Sequence, residues 1–549
     1  MKLDMTNIFL VFKIYKNIKK NFFIIITLSI ILIIFDILGI FLLGYLIALI
    51  LDFDLSNSML GVIERYFVFL NNFEIIFCTL LVFISKFIIN LLTYKKIFSY
   101  IKKEQKNLAN NFATKILMSL KKETNKMKLF SSFTEFLRLS TEYYLVYFLK
   151  FISEFIILIS IMLFLFFIDY KLSILLFICI LTFFIFFFRA NKKKINEYGK
   201  NVTDNYEKFL NKAKYLIYST YEIKAFKKEY EFKLDTLKYF NDYSDNRFKQ
   251  IFFSFMPRLY AELFFVLFLI AIAGYLNLFS NFGQSSLPAL TLFVLILIRA
   301  IPLTSALIFS LTNIWNFNYA NEIVFNFLKD LKQSESIQKI QKHNTSLEKI
   351  VVSEMSFSYK EKLLYGNLSF TILKNQIFGI FGRSGSGKTT LGLILMGLIK
   401  EHSGKVSFKY NNKQLQPKNL DIFSYIPQDI NLMEDTIYRN IVYDFKKKYN
   451  KKKIVTLLKK FNLFYELKGH NFKDISTKLS GGQKQRILIC RAIYNQKSVI
   501  ILDEPSSYLD KKNIRYLIKY LLEIKSKMFV IIISHDHKLK KICKNSISL

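Results

Sequence analysis

The chain is poor in cysteine. Its 549 residues hold four, Cys78, Cys179, Cys490 and Cys543, and no two form a Cys-x-x-Cys pair. That scatter excludes a disulfide framework and a cysteine-based metal site, and leaves small apolar residues in a reducing compartment or in lipid. Acidic residues are also scarce, 41 against 78 Lys plus Arg, for a net charge of +37. Such an excess raises nucleic-acid binding as a class. Two features give it another origin: the lysines cluster between apolar runs, and the chain is rich in Lys, Asn, Ile, Phe and Tyr together, as an AT-rich coding bias produces. Nucleic acid is therefore not an expected partner. What abounds instead is apolar surface, 52% of residues, concentrated in the first 330. A membrane domain fused to a soluble one follows.

Six apolar runs, 22–51, 73–94, 144–168, 172–188, 251–278 and 287–315, are each near the length of a membrane span. The first follows a basic start (Lys13, Lys16, Lys19, Lys20) but is too long for a signal-peptide core. The fourth is the shortest, so a buried core helix is its alternative; residues 183–188 are too apolar for a soluble surface. Helices are expected because lipid offers no partner to an open backbone. Loop charge alternates. Lys95, Lys96, Lys102, Lys103 and others separate runs two and three, and Lys192, Lys193, Lys194 and Lys200 lie between four and five. The connections after runs one, three and five are poor in Lys and Arg: Asp52, Asp54, Glu64 and Arg65 in the first, Asp169-Tyr170-Lys171 in the second, no basic residue in 279–286. Both termini are thus expected in the cytoplasm of a multi-pass protein of a bacterial cytoplasmic membrane, with long cytoplasmic segments reaching toward the soluble domain. The expected domains are 1–330, a linker 331–347, and 348–549.

The C-terminal part carries chemistry. A buried strand, 376–381, runs into Gly382-Arg383-Ser384-Gly385-Ser386-Gly387-Lys388-Thr389-Thr390, and a helix follows. This is the P-loop pattern in its required context: glycines turn backbone N–H groups toward phosphates, Lys388 reaches the β and γ phosphates, and Thr389 offers a hydroxyl to Mg²⁺. Downstream, Val499-Ile500-Ile501-Leu502-Asp503-Glu504 reads as a buried parallel strand. Asp503 at its end can hold Mg²⁺, and Glu504 is placed to deprotonate an attacking water. ATP and Mg²⁺ are the expected cofactors.

These residues carry a family resemblance. Leu479-Ser480-Gly481-Gly482-Gln483 resembles the signature motif of ABC transporter ATPases, which implies that Ser480, Gly481, Gly482 and Gln483 contact the nucleotide of a partner subunit. By the same resemblance Tyr359 stacks on adenine, Gln428 touches Mg²⁺ and water, Ser507-Tyr508-Leu509-Asp510 forms the D-loop, and His535 contacts the γ-phosphate. The whole chain is similar to an exporter-type half-transporter. The implied fold is an α-helical membrane domain of six transmembrane helices with long cytoplasmic extensions, then an α/β P-loop ATPase domain, working as a homodimer. Coupling helices are implied near 130–139 and 218–224. Some positions depart from the pattern: Pro505 and Tyr508 stand for the usual alanines, Ser534 and Asp536 flank the histidine, and Lys473-Asp474-Ile475-Ser476 replaces a Gly-Glu-x-Gly stretch. Those departures bear on domain coupling, since Lys388, Gln428, Asp503, Glu504 and His535 are all present.

The substrate is read from charge within the apolar runs, which is costly and usually functional or paired. Asp36, Lys86 and Arg299 fall mid-run; Lys150, Glu154, Arg258 and Glu262 fall nearer the cytoplasmic side. Arg258 and Glu262, four apart, can pair; alternatively Arg258 and Arg299 line a basic cavity for an anionic head group. Pro257-Arg258-Leu259-Tyr260-Ala261-Glu262 and Arg299-Ala300-Ile301-Pro302 resemble segments of bacterial lipid-linked oligosaccharide flippases, which implies a polyprenyl-pyrophosphate-linked oligosaccharide as the amphiphilic substrate and membrane lipid as a partner. Export of a peptide, lipid or drug is the alternative, and an ATP-gated regulator or channel is an alternative of another class. The stretch before Phe22 is too short for a cysteine-protease domain, which weighs against leader-cleaving peptide exporters.

Overall fold

The structure, a computed structural model, describes residues 14–15, 18–50, 71–118, 126–168, 170–279, 287–329, 347–359, 362–399, 403–410, 413–417, 420–444, 449–467 and 479–549. Lys13, Lys16, the loops 52–65 and 280–286, the linker 331–346 and the segment 473–476 lie outside these residues. The chain divides into two compact units, Met1–Ser334 and Glu335–Leu549.

The first unit is helical. Its helices are α1 (Ile18–Ile50), α2 (Asn72–Met118), α3 (Lys126–Ser131), α4 (Val146–Ile168), α5 (Tyr170–Tyr218), α6 (Thr220–Ala225), α7 (Glu229–Phe279) and α8 (Leu287–Lys329). Among the described residues, five helices are long and apolar enough to cross a membrane. A sixth is added if the two arms of α5, Ser173–Phe187 and Arg189–Tyr218, bent by 43° at their junction, count as one span.

Most helices run far beyond the apolar runs that announce them. The run 73–94 marks only the first half of α2, which continues to Met118. Past residue 94 one stripe stays apolar and buried (Ile97, Tyr100, Ile101, Leu108, Phe112) while the rest turns polar. A search for uniform apolarity stops at the lipid boundary, but the 3.6-residue period and the helix continue. The same holds for α5 and α7, which lie against each other along their length through pairs such as Phe209–Phe240, ring centroids 5.2 Å apart, and Tyr215–Phe232, 5.6 Å apart. Residues 130–139 are not a short separate helix. They pass from α3 through a π-helical turn, Ser132–Phe136, and a second one, Leu139–Leu145, leads into α4. Ser132, Phe136, Leu137 and Leu139 are buried there, which gives that stretch a packing role. The stretch at 218–224 does form a short helix, α6, on which Ile223 is buried and Tyr221 is exposed. Outward-facing Phe73, Phe77, Leu80 and Phe87 on α2, and Phe255, Leu259 and Leu263 on α7, leave an apolar exterior suited to lipid.

The second unit is two sheets with helices. An antiparallel sheet of order β2-β1-β4-β5 is built from β1 (Leu347–Tyr359), β2 (Lys362–Leu373), β4 (Ser403–Tyr410) and β5 (Lys413–Leu415). A parallel sheet of order β6-β7-β8-β3-β9 contains β3 (Ile377–Phe381), β6 (Phe423–Ile426), β7 (Val499–Asp503), β8 (Phe529–Ile533) and β9 (Asn545–Ser548). Its central strands β3, β7 and β8 are buried at every residue, which is why they read as unbroken apolar runs. Each fully buried Ile or Val contributes roughly 1.5–3 kcal/mol. Helix α9 (Lys388–Leu395) packs Leu391, Ile394 and Leu395 into the core shared by the two sheets. Across the other core lie α10 (Ile437–Val442), α11 (Lys451–Lys460), α12 (Leu463–Glu466), α13 (Gly481–Tyr494) and α14 (Lys511–Ile524), with Leu458, Ile487 and Leu517 fully buried.

Candidate active site

Parallel pairing decides where the site lies. Ile380 pairs with Ile533, Asp503 with Ile533, and Ile426 with Leu502. The residues that follow each strand, 382–388, Glu504, Ser534-His535 and Pro427-Gln428, therefore leave the sheet at one edge, where ligands of open parallel sheets bind.

The loop after β3 needs its glycines. Gly385 (φ +83°) and Gly387 (φ +90°) are in the left-handed region. Gly387 caps α9, and a Cβ there would stand 3.0 Å from the Tyr365 ring; at Gly385 a side chain would meet open space, so conformation alone selects glycine. Arg383, Ser384 and Gly385 are exposed. The Lys388 ammonium, nearly buried, donates to the carbonyls of Gly382 (2.9 Å) and Arg383 (3.0 Å) and so closes the loop into a cradle. Thr389 and Thr390 form the first turn of α9. The Ser386 hydroxyl is buried with no hydrogen-bond partner among the described residues.

Asp503 is fully buried. Its Oδ2 accepts from the Tyr425 hydroxyl at 3.1 Å, and its Oδ1 has no hydrogen-bond partner among the described residues. Burial raises its pKa, and the neighbouring Thr389, Tyr425 and Lys388 only partly offset that. A buried carboxylate oxygen left without a partner is costly unless something coordinates it. Beside a threonine hydroxyl it is a fitting ligand for a hard divalent cation, so the residues present suit Mg²⁺.

Glu504 has φ +46°, a strained conformation for a side chain of its size. It is held there on three sides. Its N–H donates to Ile533 O at 2.8 Å, Oε2 accepts from Ser534 Oγ at 3.2 Å, and Oε1 lies 2.9 Å from His535 Nδ1. The carboxylate is almost buried while the imidazole is 75% exposed. The pair thus presents a buried base and an exposed outer group with a ring nitrogen to spare. Gln428 is exposed in the bend beyond β6 and makes no side-chain hydrogen bond to Asp503 or Glu504. Tyr359 ends β1, opposite Lys362.

The signature segment forms the start of α13. Ser480 Oγ accepts from Gln483 N (3.3 Å) and Gln483 Oε1 accepts from Ser480 N (3.0 Å), a reciprocal cap that leaves Ser480 and Gly481 exposed. The two glycines are required by what stands behind them. A Cβ at Gly481 would meet the Tyr508 ring at 3.1 Å, and one at Gly482 would meet Tyr508 O at 2.8 Å. Two turns of α13 are pinned by Arg486, which is buried and reaches Glu466 with both terminal nitrogens (2.7 and 2.5 Å).

Three contributors are new. Tyr425 steadies Asp503, Ser534 steadies Glu504, and Glu466 pairs with Arg486. Ser534 stood out in the sequence as a departure from the exporter pattern. Tyr425 gave a weaker signal, three residues before Gln428. Glu466 gave none, because its partner lies 20 residues away on another helix.

The residues expected to face a transported molecule do not gather in one cluster. Arg258 Nε donates to Glu262 at 3.1 Å, both exposed, on one face of α7. Arg299 on α8 donates to Asp36 of α1 at 3.1 Å, and Lys86 of α2 pairs with the same carboxylate, which is 2% exposed. The three mid-run charges thus meet, whereas the two arginines each hold a separate acid.

Comparison with known proteins points to a family and a fold. The ABC transporter family model matches residues 365–507. A probable ABC transporter ATP-binding/permease protein of Haemophilus influenzae is 32% identical over 232 residues, 40% of this chain and 40% of that protein. An ATP-dependent lipid A-core flippase of Francisella tularensis is 30% identical over 194 residues, 34% of this chain and 32% of that protein. The match thus spans less than half the length of each of these two. The lipoprotein-releasing system ATP-binding protein LolD of Buchnera aphidicola is 33% identical over 189 residues, 32% of this chain and 81% of that protein. The solved structure of a bacterial Atm1-family ABC exporter with ATP bound shares the fold over 97% of this chain and 93% of that one, with a TM-score of 0.75 at 14% identity.

Proposed function

The chain belongs to the ABC transporter family, and on that footing we propose that it is an ATP-driven pump that exports or flips an amphiphilic substrate across a bacterial cytoplasmic membrane. The observation that carries this reading is the convergence of Lys388, Asp503, Glu504 and His535 at one edge of a parallel sheet, on a chain that also holds apolar helices of membrane length.

In this reading Lys388 exchanges its loop carbonyls for the β and γ phosphates of ATP, and Tyr359 stacks on adenine. Thr389, Asp503 and Gln428 would hold Mg²⁺, which when bound neutralises phosphate charge. Glu504 accepts a proton from the water that attacks the γ-phosphorus; the bond to the bridging oxygen breaks, giving ADP and phosphate. His535 swings its exposed imidazole from Glu504 toward the γ-phosphate. The partner subunit's Ser480 closes the site from the far side, so a homodimer has two competent sites, and closure excludes water. The orientation follows the lysine-rich loops, with both termini and the ATPase unit in the cytoplasm.

An anionic amphiphile is the substrate class, with a polyprenyl-pyrophosphate-linked oligosaccharide first. Support comes from the excess positive charge of Lys86 and Arg299 over Asp36 within the apolar helices, and from similarity to a protein named as a lipid A-core flippase. Export of a peptide or drug is the second reading.

The test is ATP hydrolysis by the purified protein in lipid, wild type beside Glu504→Gln, with and without the glycolipid. Hydrolysis that depends on Glu504 and changes with the glycolipid is the expected result. Dependence on Glu504 without a glycolipid response removes the substrate. No hydrolysis by wild type turns the reading toward an ATP-gated regulator.

A further inference from the structure

Helices α4, α5 and α8 line a cavity of about 310 Å³, together with the π-turn residue Tyr144. Its walls coincide with the ends of three apolar runs: Tyr144 opens the third, Lys192 follows the fourth, and Trp315, the only tryptophan of the chain, closes the sixth. Tryptophan beside lysine marks the membrane–water boundary, where indole and a snorkelling ammonium both favour the head-group layer. Here Lys192 Nζ stands 5.3 Å from the centre of the Trp315 ring.

The two sides of the cavity differ in charge. On α5, Lys192, Asn196 and Lys200 follow one another at intervals of four and share a face. Neither lysine has a carboxylate within ion-pair distance among the described residues. On α8, Asn316 Oδ1 and Asn318 Oδ1 are buried acceptors without a hydrogen-bond partner among the described residues. Their amide nitrogens are committed: Asn316 Nδ2 donates to Ser254 Oγ at 3.0 Å, and Asn318 Nδ2 to Glu322 Oε1 at 2.8 Å. Both oxygens are closed to solvent, so the acceptor that lines the cavity on this side is the Glu322 carboxylate. One side asks for an anion and the other for N–H or O–H donors.

We propose that this cavity is a binding site for the head group of a membrane phospholipid that joins a phosphodiester to an ammonium or hydroxyl donor, as phosphatidylethanolamine and phosphatidylglycerol do. Lys192 and Lys200 take the phosphate, Glu322 takes the donor, and the aromatic wall meets the start of the acyl chains. The assignment rests on the membrane-spanning reading of the first unit and on neither ATP hydrolysis nor the transported substrate.

The test is native mass spectrometry of the full-length protein in detergent, without ATP, titrated with three lipids of identical acyl chains. Phosphatidylethanolamine and phosphatidylglycerol are expected to bind at least about tenfold more tightly than phosphatidylcholine, which keeps the phosphate but has no N–H or O–H to donate. Lys192→Gln with Lys200→Gln lowers retention of both by a similar factor, and Glu322→Gln weakens phosphatidylethanolamine more than phosphatidylglycerol. Equal retention of the three lipids by wild type overturns the proposal, whatever the variants do. So does binding of water-soluble glycerophosphoethanolamine as tight as that of the lipid, which would make the occupant a solute. Because no nucleotide is present, failure here leaves the pump reading intact, and a wild type without ATPase activity leaves this one intact.

Discussion

Each unit of the chain buries an aspartate, and the two are treated differently. Asp36, between membrane helices, is met by two cations, Lys86 and Arg299. Asp503, at the sheet edge, has one phenol on one oxygen and, among the described residues, no hydrogen-bond partner on the other. In the first the charge is answered by cations of the fold; the second waits for a ligand. A buried acid with its charge answered joins helices together, whereas one left partly unanswered is held at a cost by the strands around it, and that cost is where binding chemistry resides. Both are buried acids on apolar elements, so burial alone does not separate structure from function. The state of the second oxygen does.

The largest effect expected from this contrast belongs to Glu504, neighbour of the unanswered acid. Glu504→Gln should lower ATP turnover by about 10²–10⁴-fold while ATP binding persists, read by phosphate release beside nucleotide-binding fluorescence. Loss of binding as well would make Glu504 a structural residue and weaken the contrast. Next is Asp36→Asn, which leaves two cations without their acid among apolar helices. It should destabilise the folded protein by about 3 kcal/mol, visible as a lower unfolding midpoint in detergent, and Lys86→Gln in the same chain should restore part of it. An unchanged midpoint would mean that the acid serves something other than helix association.

Glu466→Ala strips buried Arg486 of its carboxylate and should cost about 2 kcal/mol, because other acceptors (Phe461 O, Gly482 O, Asn513 Oδ1) remain. It also carries a pH signature. Hydrogen bonding from Arg486 holds the Glu466 carboxyl below its ordinary value of 4.5. A depressed acid gives stability that is present above its unfolded pKa and lost as pH falls through its folded one. Wild type should therefore lose stability on acidification below about 4.5 more steeply than Glu466→Ala, in denaturation midpoints taken across that range. The smallest stability effect has the opposite sign. Burial raises the pKa of Asp503, so its charged form is a burden that grows as pH rises from the unfolded value toward the folded one. Asp503→Asn should raise the unfolding midpoint at neutral pH while removing Mg²⁺-dependent hydrolysis. A fall in the midpoint would erase the distinction between the two aspartates.

The same contrast explains what could be read in advance. The candidate ATP site was legible because a parallel sheet sends its strands to one edge. Each strand end is a short local pattern (Gly382–Thr390, Asp503-Glu504, His535), and topology alone brings the patterns together. The membrane unit has no such edge. Asp36, Lys86 and Arg299 were each visible as charges out of place, but their meeting depends on the rotation of three helices about their axes, which apolar runs without a polar stripe do not encode. Arg258 shows the converse: the spacing to Glu262 was correct for a pair on one face, and the pair forms there. Helix ends were less legible for a third reason: an apolar run reports where lipid stops, and the backbone continues past it into the expected cytoplasmic extensions, as in α2.

The glycines backed by Tyr508 have a consequence for timing. Tyr508 O stands 2.8 Å from where a Cβ on Gly482 would lie, so the start of α13 packs directly against residues 506–509. Those residues are tied in turn to Glu504, whose carbonyl accepts from Ser507 N (3.3 Å) and Ser507 Oγ (2.8 Å). The segment that would touch a nucleotide held by the partner and the base that would deprotonate the water attacking its own are thus joined through residues 506–509. In a dimer each subunit's base would feel whether the opposite site is filled, so the two ATP molecules would be consumed in step with each other, with no messenger passing through the membrane unit.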